Sequence, residues 1–246
     1  MSDFNLVPAP RRTWPALMRG PRGMLGAAVL GGVPIVLAVA MALVGPDGAA
    51  MALALAGYLA GAGFVLHLMR RGYPHGALGL CNVVTLTRLA LTSALLAPLA
   101  GAAAPWAVLA VAGIALSLDG VDGWLARREA RVSSFGARFD MEVDAALALI
   151  LALNAWVAGS AGPAVVLLGL PRYVFAVAAH VLPWLDRPLP ERFGRKAVCV
   201  LQLGALIALQ LDPVALRIAE PLVAGVAAAL AWSFARDVLW LWRTRP

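Results

Sequence analysis

Residues 119–144, DGVDGWLARREARVSSFGARFDMEVD, set Asp119, Asp122, Asp140 and Asp144 into a chain that is otherwise mostly hydrocarbon. The interval of three between Asp119 and Asp122, and of four between Asp140 and Asp144, puts each pair on one face of a helix. Two such helices facing each other make a cage of carboxylate oxygens. A charged side chain at bilayer depth costs about 2.5–3.5 kcal/mol on insertion scales, so four acids there demand compensation by cations or water. Divalent metal ions supply it.

Composition establishes the membrane setting. Hydrophobic residues make up 62% of the 246-residue chain and charged residues 13%, with a mean hydropathy of +0.84, whereas soluble domains carry roughly 25% charge. The chain reads as an all-α integral membrane protein. Apolar runs near twenty residues, the length that crosses a hydrocarbon core of about 30 Å, predict about eight transmembrane helices. Their spans are 24–44, 49–69, 80–100, 104–126, 136–158, 163–185, 196–212 and 216–241. Three regions follow: a basic juxtamembrane arm over 1–23, two N-terminal helices over 24–77 that look like scaffold, and the acid-bearing region over 78–246.

The net charge of +7 is topological, and nucleic acid is not an expected partner. With the N-terminus in the cytoplasm, Arg217 falls outside, Arg88, Arg172 and Arg236 fall within spans, and all other Lys and Arg fall on the cytoplasmic side. The expectation is a cytoplasmic (inner) membrane protein with both termini and the acidic site facing the cytoplasm. Residues 1–23 combine Trp14 with Arg11, Arg12, Arg19 and Arg22, and lack the short apolar core and small-residue cleavage site of a signal peptide. Cys81 and Cys199 fall near cytoplasmic helix ends, where thiols stay reduced. His67, His75 and His180 have no metal-compatible spacing, and there is no glycine-rich phosphate loop.

The full pattern DxxDGxxARx8GxxxDxxxD, running from Asp119 through Asp122, Gly123, Ala126, Arg127 and Gly136 to Asp140 and Asp144, resembles the CDP-alcohol phosphatidyltransferase family. The resemblance implies a six-helix membrane core over roughly residues 78–240, with the first two spans as an addition. It also implies metal held by the aspartates, displacement of CMP from a CDP-linked lipid or alcohol, and Asp144 as the general base that deprotonates the acceptor hydroxyl. Chemistry supports these roles independently. Charge develops on phosphoryl and leaving-group oxygens, and paired metal ions about 3.5–4 Å apart can clamp both. Carboxylate donors without Cys or His suit Mg²⁺ or Mn²⁺, two ions being expected. Asp119, Asp122 and Asp140 are the first ligands expected, with Asp144 also near a metal.

Gly123, Ala126 and Gly136 lack bulk near the acids and would let a nucleotide approach the helix backbone. Arg127 lies eight residues after Asp119 on the same helix face, either as a phosphate partner or as a topological charge. The segment Cys81-Asn82-Val-Val-Thr85-Leu-Thr-Arg88 is similar to the family's PNxxTxxR pattern, with Cys81 in place of the proline. Asn82 is placed to cap that helix and, with Thr85, to bind nucleotide. Arg88 contacts pyrophosphate or acceptor, or else pairs with a motif aspartate. Arg138, Arg172 beside the kink-forming Pro171, Arg192, Arg195 and Lys196 are candidates for phosphate or acceptor binding, although the cluster at 192–196 also fits a positive-inside loop.

The leading expectation is phosphatidyl transfer from CDP-diacylglycerol to a polar alcohol, with a slight preference for a phosphorylated polyol such as glycerol 3-phosphate. A homodimer is compatible with the chain. Two other classes fit part of the pattern. A divalent-cation transporter would use intramembrane acids, and a membrane prenyltransferase would share Asp140-x3-Asp144 but lacks its partner motif here.

Overall fold

In the computed structural model, residues 20–187, 189 and 193–244 are described, and no strand occurs among them. Most of the basic arm, Trp14 included, lies outside the described residues, as does Arg192. The order is α1 Pro21–Val44, α2 Gly48–Gly72, α3 Leu80–Ala94, α4 Pro105–Arg128, α5 Ser134–Val157, α6 Val166–Gly169, α7 Pro171–Val181, α8 Phe193–Ala208 and α9 Asp212–Arg243, with short 3-10 turns at Ala97–Leu99, Pro163–Val165 and Pro183–Asp186.

Helix starts follow local chemistry. Pro21 and Pro105 open α1 and α4, where a missing N–H costs nothing. The Asp47 carboxylate accepts from the amides of Ala49 and Ala50 at 2.8 and 2.9 Å, and so caps α2.

Among the described residues, α1, α2, α3 with its extension to Leu99, α4, and α9 from Ile218 are long and apolar enough to cross a membrane. The stretch 163–181, expected as part of one span, is a pair of helices bent by 58° and counts as a sixth if taken together. Pro171, which cannot donate to the preceding turn, marks the break. The expected count of eight is not confirmed, for two local reasons. Over its 24 residues α5 carries Arg138, Asp140, Glu142 and Asp144, and α8 is described over the 16 residues Phe193–Ala208, about 24 Å of helix.

The centre of the bundle is α3. Of its most apolar window 72% is buried, against 22–28% for α1, α2, α4 and α9, and it packs on α1, α2, α4 and α5. Close approach of α2 depends on glycine. A Cβ at Gly57 would fall 2.3 Å from Leu96 Cδ1, and one at Gly61 would fall 2.8 Å from Leu89 Cδ1. Small residues spaced by four let helix backbones meet where no water drives them together. Likewise Gly32 of α1 receives Tyr58 of α2, whose hydroxyl donates to the Val29 carbonyl at 3.1 Å. Val36, Tyr58 and Val65 of this N-terminal pair share one apolar cluster with Leu86 of α3 and Phe135 and Phe139 of α5. A second cluster joins α3, α4 and α5 to α8 and α9.

The turn between α4 and α5 brings the acid-bearing segments together. The Arg131 amide donates to the Ala126 carbonyl at 2.9 Å and the Ala130 amide to the Arg127 carbonyl at 3.3 Å, while Ala130 takes φ 52°. This is a Schellman closure with alanine where glycine is usual. The Ser133 hydroxyl then accepts from the Gly136 amide at 3.1 Å and starts α5. The connector before α3 is fastened to this turn: Arg131 donates to the Ala77 carbonyl at 2.6 Å, and the Tyr73 and Phe135 rings meet edge-on at 5.0 Å.

Since a left-handed alanine costs about 1–2 kcal/mol and glycine carries an entropic penalty of about 0.5–1 kcal/mol, Ala130→Gly is expected to stabilise the protein slightly. Thermal unfolding of the purified variant in detergent checks this as a rise in Tm.

Candidate active site

Three helices converge on one guanidinium. Arg88, two turns into α3, is fully buried. Its Nε donates to the Ala115 carbonyl of α4 at 3.2 Å, which fixes the plane of the head group. Nη1 bonds to Asp122 Oδ2 at 2.9 Å and to Asp140, while Nη2 pairs with Asp119 Oδ1 at 3.1 Å and with Asp144. One cation thus ties both acid pairs to α3. The rigid fork of arginine suits this task, because its donors lie in one plane and reach several carboxylates at once.

The four acids are not equivalent. The Asp122 side chain is 6% exposed, against 39%, 37% and 32% for Asp119, Asp140 and Asp144. Asp122 also accepts from the Thr85 hydroxyl at 2.8 Å, so its Oδ2 is shared between Arg88 and Thr85. The other three open outward and bring one oxygen each to within 4.8 Å of one another. The sequence named Asp119, Asp122 and Asp140 as first ligands; the compact trio is Asp119, Asp140 and Asp144.

This donor set fits a hard divalent cation. Its ligands are all carboxylate oxygens, the preference of Mg²⁺ and Mn²⁺. With all four acids ionised, a single guanidinium leaves the cluster three positive charges short, and nearby desolvation makes that deficit costly.

Around this cluster the remaining candidates fall into two groups. Asn82 and Gly136 are neighbours: a Cβ at Gly136 would stand 3.7 Å from Asn82 Oδ1. Asn82 does not cap α3, because Gly79 holds that position. Its amide instead donates to the Tyr73 hydroxyl at 3.1 Å, which in turn donates to the Ala77 carbonyl. Gly123 and Ala126 are half-buried on α4, and a Cβ at Gly123 would lie 3.5 Å from Arg127 Nη1. Arg127 and Arg138 are exposed.

In the second group, Arg172 and Arg195 are engaged elsewhere. Arg172 forms an ion pair with Glu142 of α5. Arg195 pairs with Asp237 of α9 at 2.9 Å. Lys196 is exposed. Gln202 donates to the Leu168 carbonyl at 2.5 Å and joins α8 to α6. Sequence reasoning had missed Glu142, Asp237 and Tyr73. A signal for the first two existed, since an intramembrane arginine calls for an intramembrane acid. None pointed to Tyr73.

No curated protein and no solved structure matches the chain. The region beginning just before α3 and ending in the last helix, residues 78–236, matches the family model of the CDP-alcohol phosphatidyltransferases. That stretch holds Arg88 and all four aspartates, so the acid cluster built across α3, α4 and α5 lies inside the matched domain. The chain therefore belongs to the CDP-alcohol phosphatidyltransferase family and is a phosphotransferase.

Proposed function

We propose that this enzyme transfers the phosphatidyl group of CDP-diacylglycerol to a polar alcohol and releases CMP, with the reaction at the cytoplasmic face of the inner membrane. The observation that carries this is the outward-open trio of Asp119, Asp140 and Asp144 around a buried arginine, inside the family domain. These residues, with Asp122 behind them, would hold Mg²⁺ or Mn²⁺, two ions in our reading. Such cations offset the charge that builds on phosphoryl and leaving-group oxygens during displacement.

The protein's own residues then have distinct tasks. Asp144 takes the proton from the acceptor hydroxyl as its oxygen bonds to the β-phosphorus. The bond from that phosphorus to the bridging oxygen breaks, and CMP departs. Arg88 positions all four carboxylates, and the requirement for a fork explains an arginine over a lysine. Asn82, Thr85, Gly123, Ala126, Arg127 and Gly136 form the nucleotide side, where the lack of side-chain bulk at Gly123 and Gly136 admits a ligand close to the backbone. Arg138, Arg172, Arg192, Arg195 and Lys196 form the phosphate and acceptor side. Arg138 and Lys196, both exposed, favour a phosphorylated polyol such as glycerol 3-phosphate. The pairing of Arg172 with Glu142 and of Arg195 with Asp237 reduces the free positive charge available to it.

The test is CMP release from CDP-diacylglycerol offered with a panel of alcohols, followed by identification of the lipid product. Asp119→Ala and Asp140→Ala are expected to abolish release. Asp144→Asn is expected to retain CDP binding while turnover stops; wild-type rates from it would remove Asp144 as the base.

Binding offers a separate check. CDP is expected to raise Tm in the presence of Mg²⁺ or Mn²⁺ and to have no effect in chelator. Metal stabilisation without any nucleotide effect would argue for ion transport instead.

Loss of Arg88 should expose the charge deficit directly. In chelator, Arg88→Ala is expected to cost about 3–5 kcal/mol, the range for removing one partner of a buried ion pair. Added Mg²⁺ should recover part of that loss in a thermal melt.

A further inference from the structure

Further along α3 and α5 than Arg88 and the acids, away from the starts of these helices, lies a cavity of about 270 Å³. Its walls include Gly57 and Gly61 of α2, Leu89 and Thr92 of α3, Ala146 of α5 and Tyr173 of α7. Leu89 follows Arg88 directly, and Ala146 comes two residues after Asp144. The lining is mostly apolar, with one anomaly. Thr92 is 1% exposed and its hydroxyl has no hydrogen-bond partner.

A buried threonine on a helix ordinarily donates to the carbonyl four residues earlier. Thr87 does so to Val83 at 3.0 Å. Thr92 does not, although leaving a buried donor unmade is expensive. Four residues separate it from Arg88, about 6 Å along the helix axis. In a phospholipid that step leads from the phosphate, across the glycerol backbone, to an ester carbonyl.

We propose that this cavity receives one acyl chain of the lipid-linked donor, with the Thr92 hydroxyl donating to that chain's ester carbonyl. The proposal rests on CDP-diacylglycerol being the donor. It also gives the N-terminal helix pair a task in the reaction. With Gly57 and Gly61 allowing it to approach α3, α2 supplies one wall of the chain pocket, which a bundle beginning at α3 would leave open.

The experiment compares CMP release from CDP-diacylglycerol and from its ether-linked dialkyl analogue, which lacks the ester carbonyls. Wild type is expected to favour the ester donor by about two- to tenfold in kcat/KM, the worth of one hydrogen bond. Thr92→Val, nearly isosteric, is expected to erase that preference, and Thr92→Ser to keep it. Equal use of both donors by wild type, or a preference that survives in Thr92→Val, overturns the ester contact.

Ala146→Leu tests the chain pocket by filling it, and thermal melts confirm that the variant folds. Its kcat/KM is expected to fall several-fold more for a dioleoyl donor than for a dioctanoyl donor. An equal fall for both, or none in a folded variant, overturns the pocket. If wild type released CMP from neither donor while CDP still bound, the proposed reaction itself would be at fault, and this ligand would fall with it.

Discussion

Everything around the site depends on the balance between one guanidinium and four carboxylates in a region with little water. Arg88 reaches Asp119 and Asp122 on α4 and Asp140 and Asp144 on α5, and also takes the Ala115 carbonyl. Neither side is tolerable alone. A buried arginine without acids would carry an uncompensated charge, and the acids without it would repel one another across the helix pair. The remaining negative charge suits the outward face of the cluster to the cations of the proposed reaction. In the proposed reaction, structural and catalytic demands therefore meet in the same residues.

Burial sorts those residues by task. Asp122 is buried, and its Oδ2 accepts from both Arg88 and Thr85. Asp119, Asp140 and Asp144 are more exposed and converge on a small volume. Two acids three residues apart on the same helix thus meet quite different environments. Spacing alone did not reveal this, because both positions lie on one helix face and only the depth of α3 separates them.

How much was legible in the sequence follows from where each signal resides. The acid pattern, the helical class and the break beside Pro171 are local, carried by intervals and by a proline's missing N–H. Partnerships between distant helices are not. The pairing of Arg172 with Glu142 and of Arg195 with Asp237 depends on how α5, α7, α8 and α9 pack. The role of Asn82 was misjudged for a related reason. It resembled a cap by residue type, yet the helix begins earlier, at Leu80, and the side chain turns to Tyr73 instead. Eight spans were expected from hydropathy averaged over charged residues, and five helices, or six with the bent pair, qualify as spans among the described residues. In α5 the carboxylates displace the apolar residues that a simple span would carry.

The closure between α4 and α5 also explains why the motif allows one interval between its halves. From Arg127 to Gly136 the chain ends one helix, passes Ala130 in the left-handed region and restarts at the Ser133 cap. Ala130, Arg131 and Ser133 in that link are held by hydrogen bonds, and Phe135 by its ring contact with Tyr73. One residue added after Ser133 would turn the face of α5 by about 100° relative to its cap. Asp140 and Asp144 would then point into the apolar packing rather than at Arg88. The turn acts as a phase setter, and the length of the gap follows from its geometry.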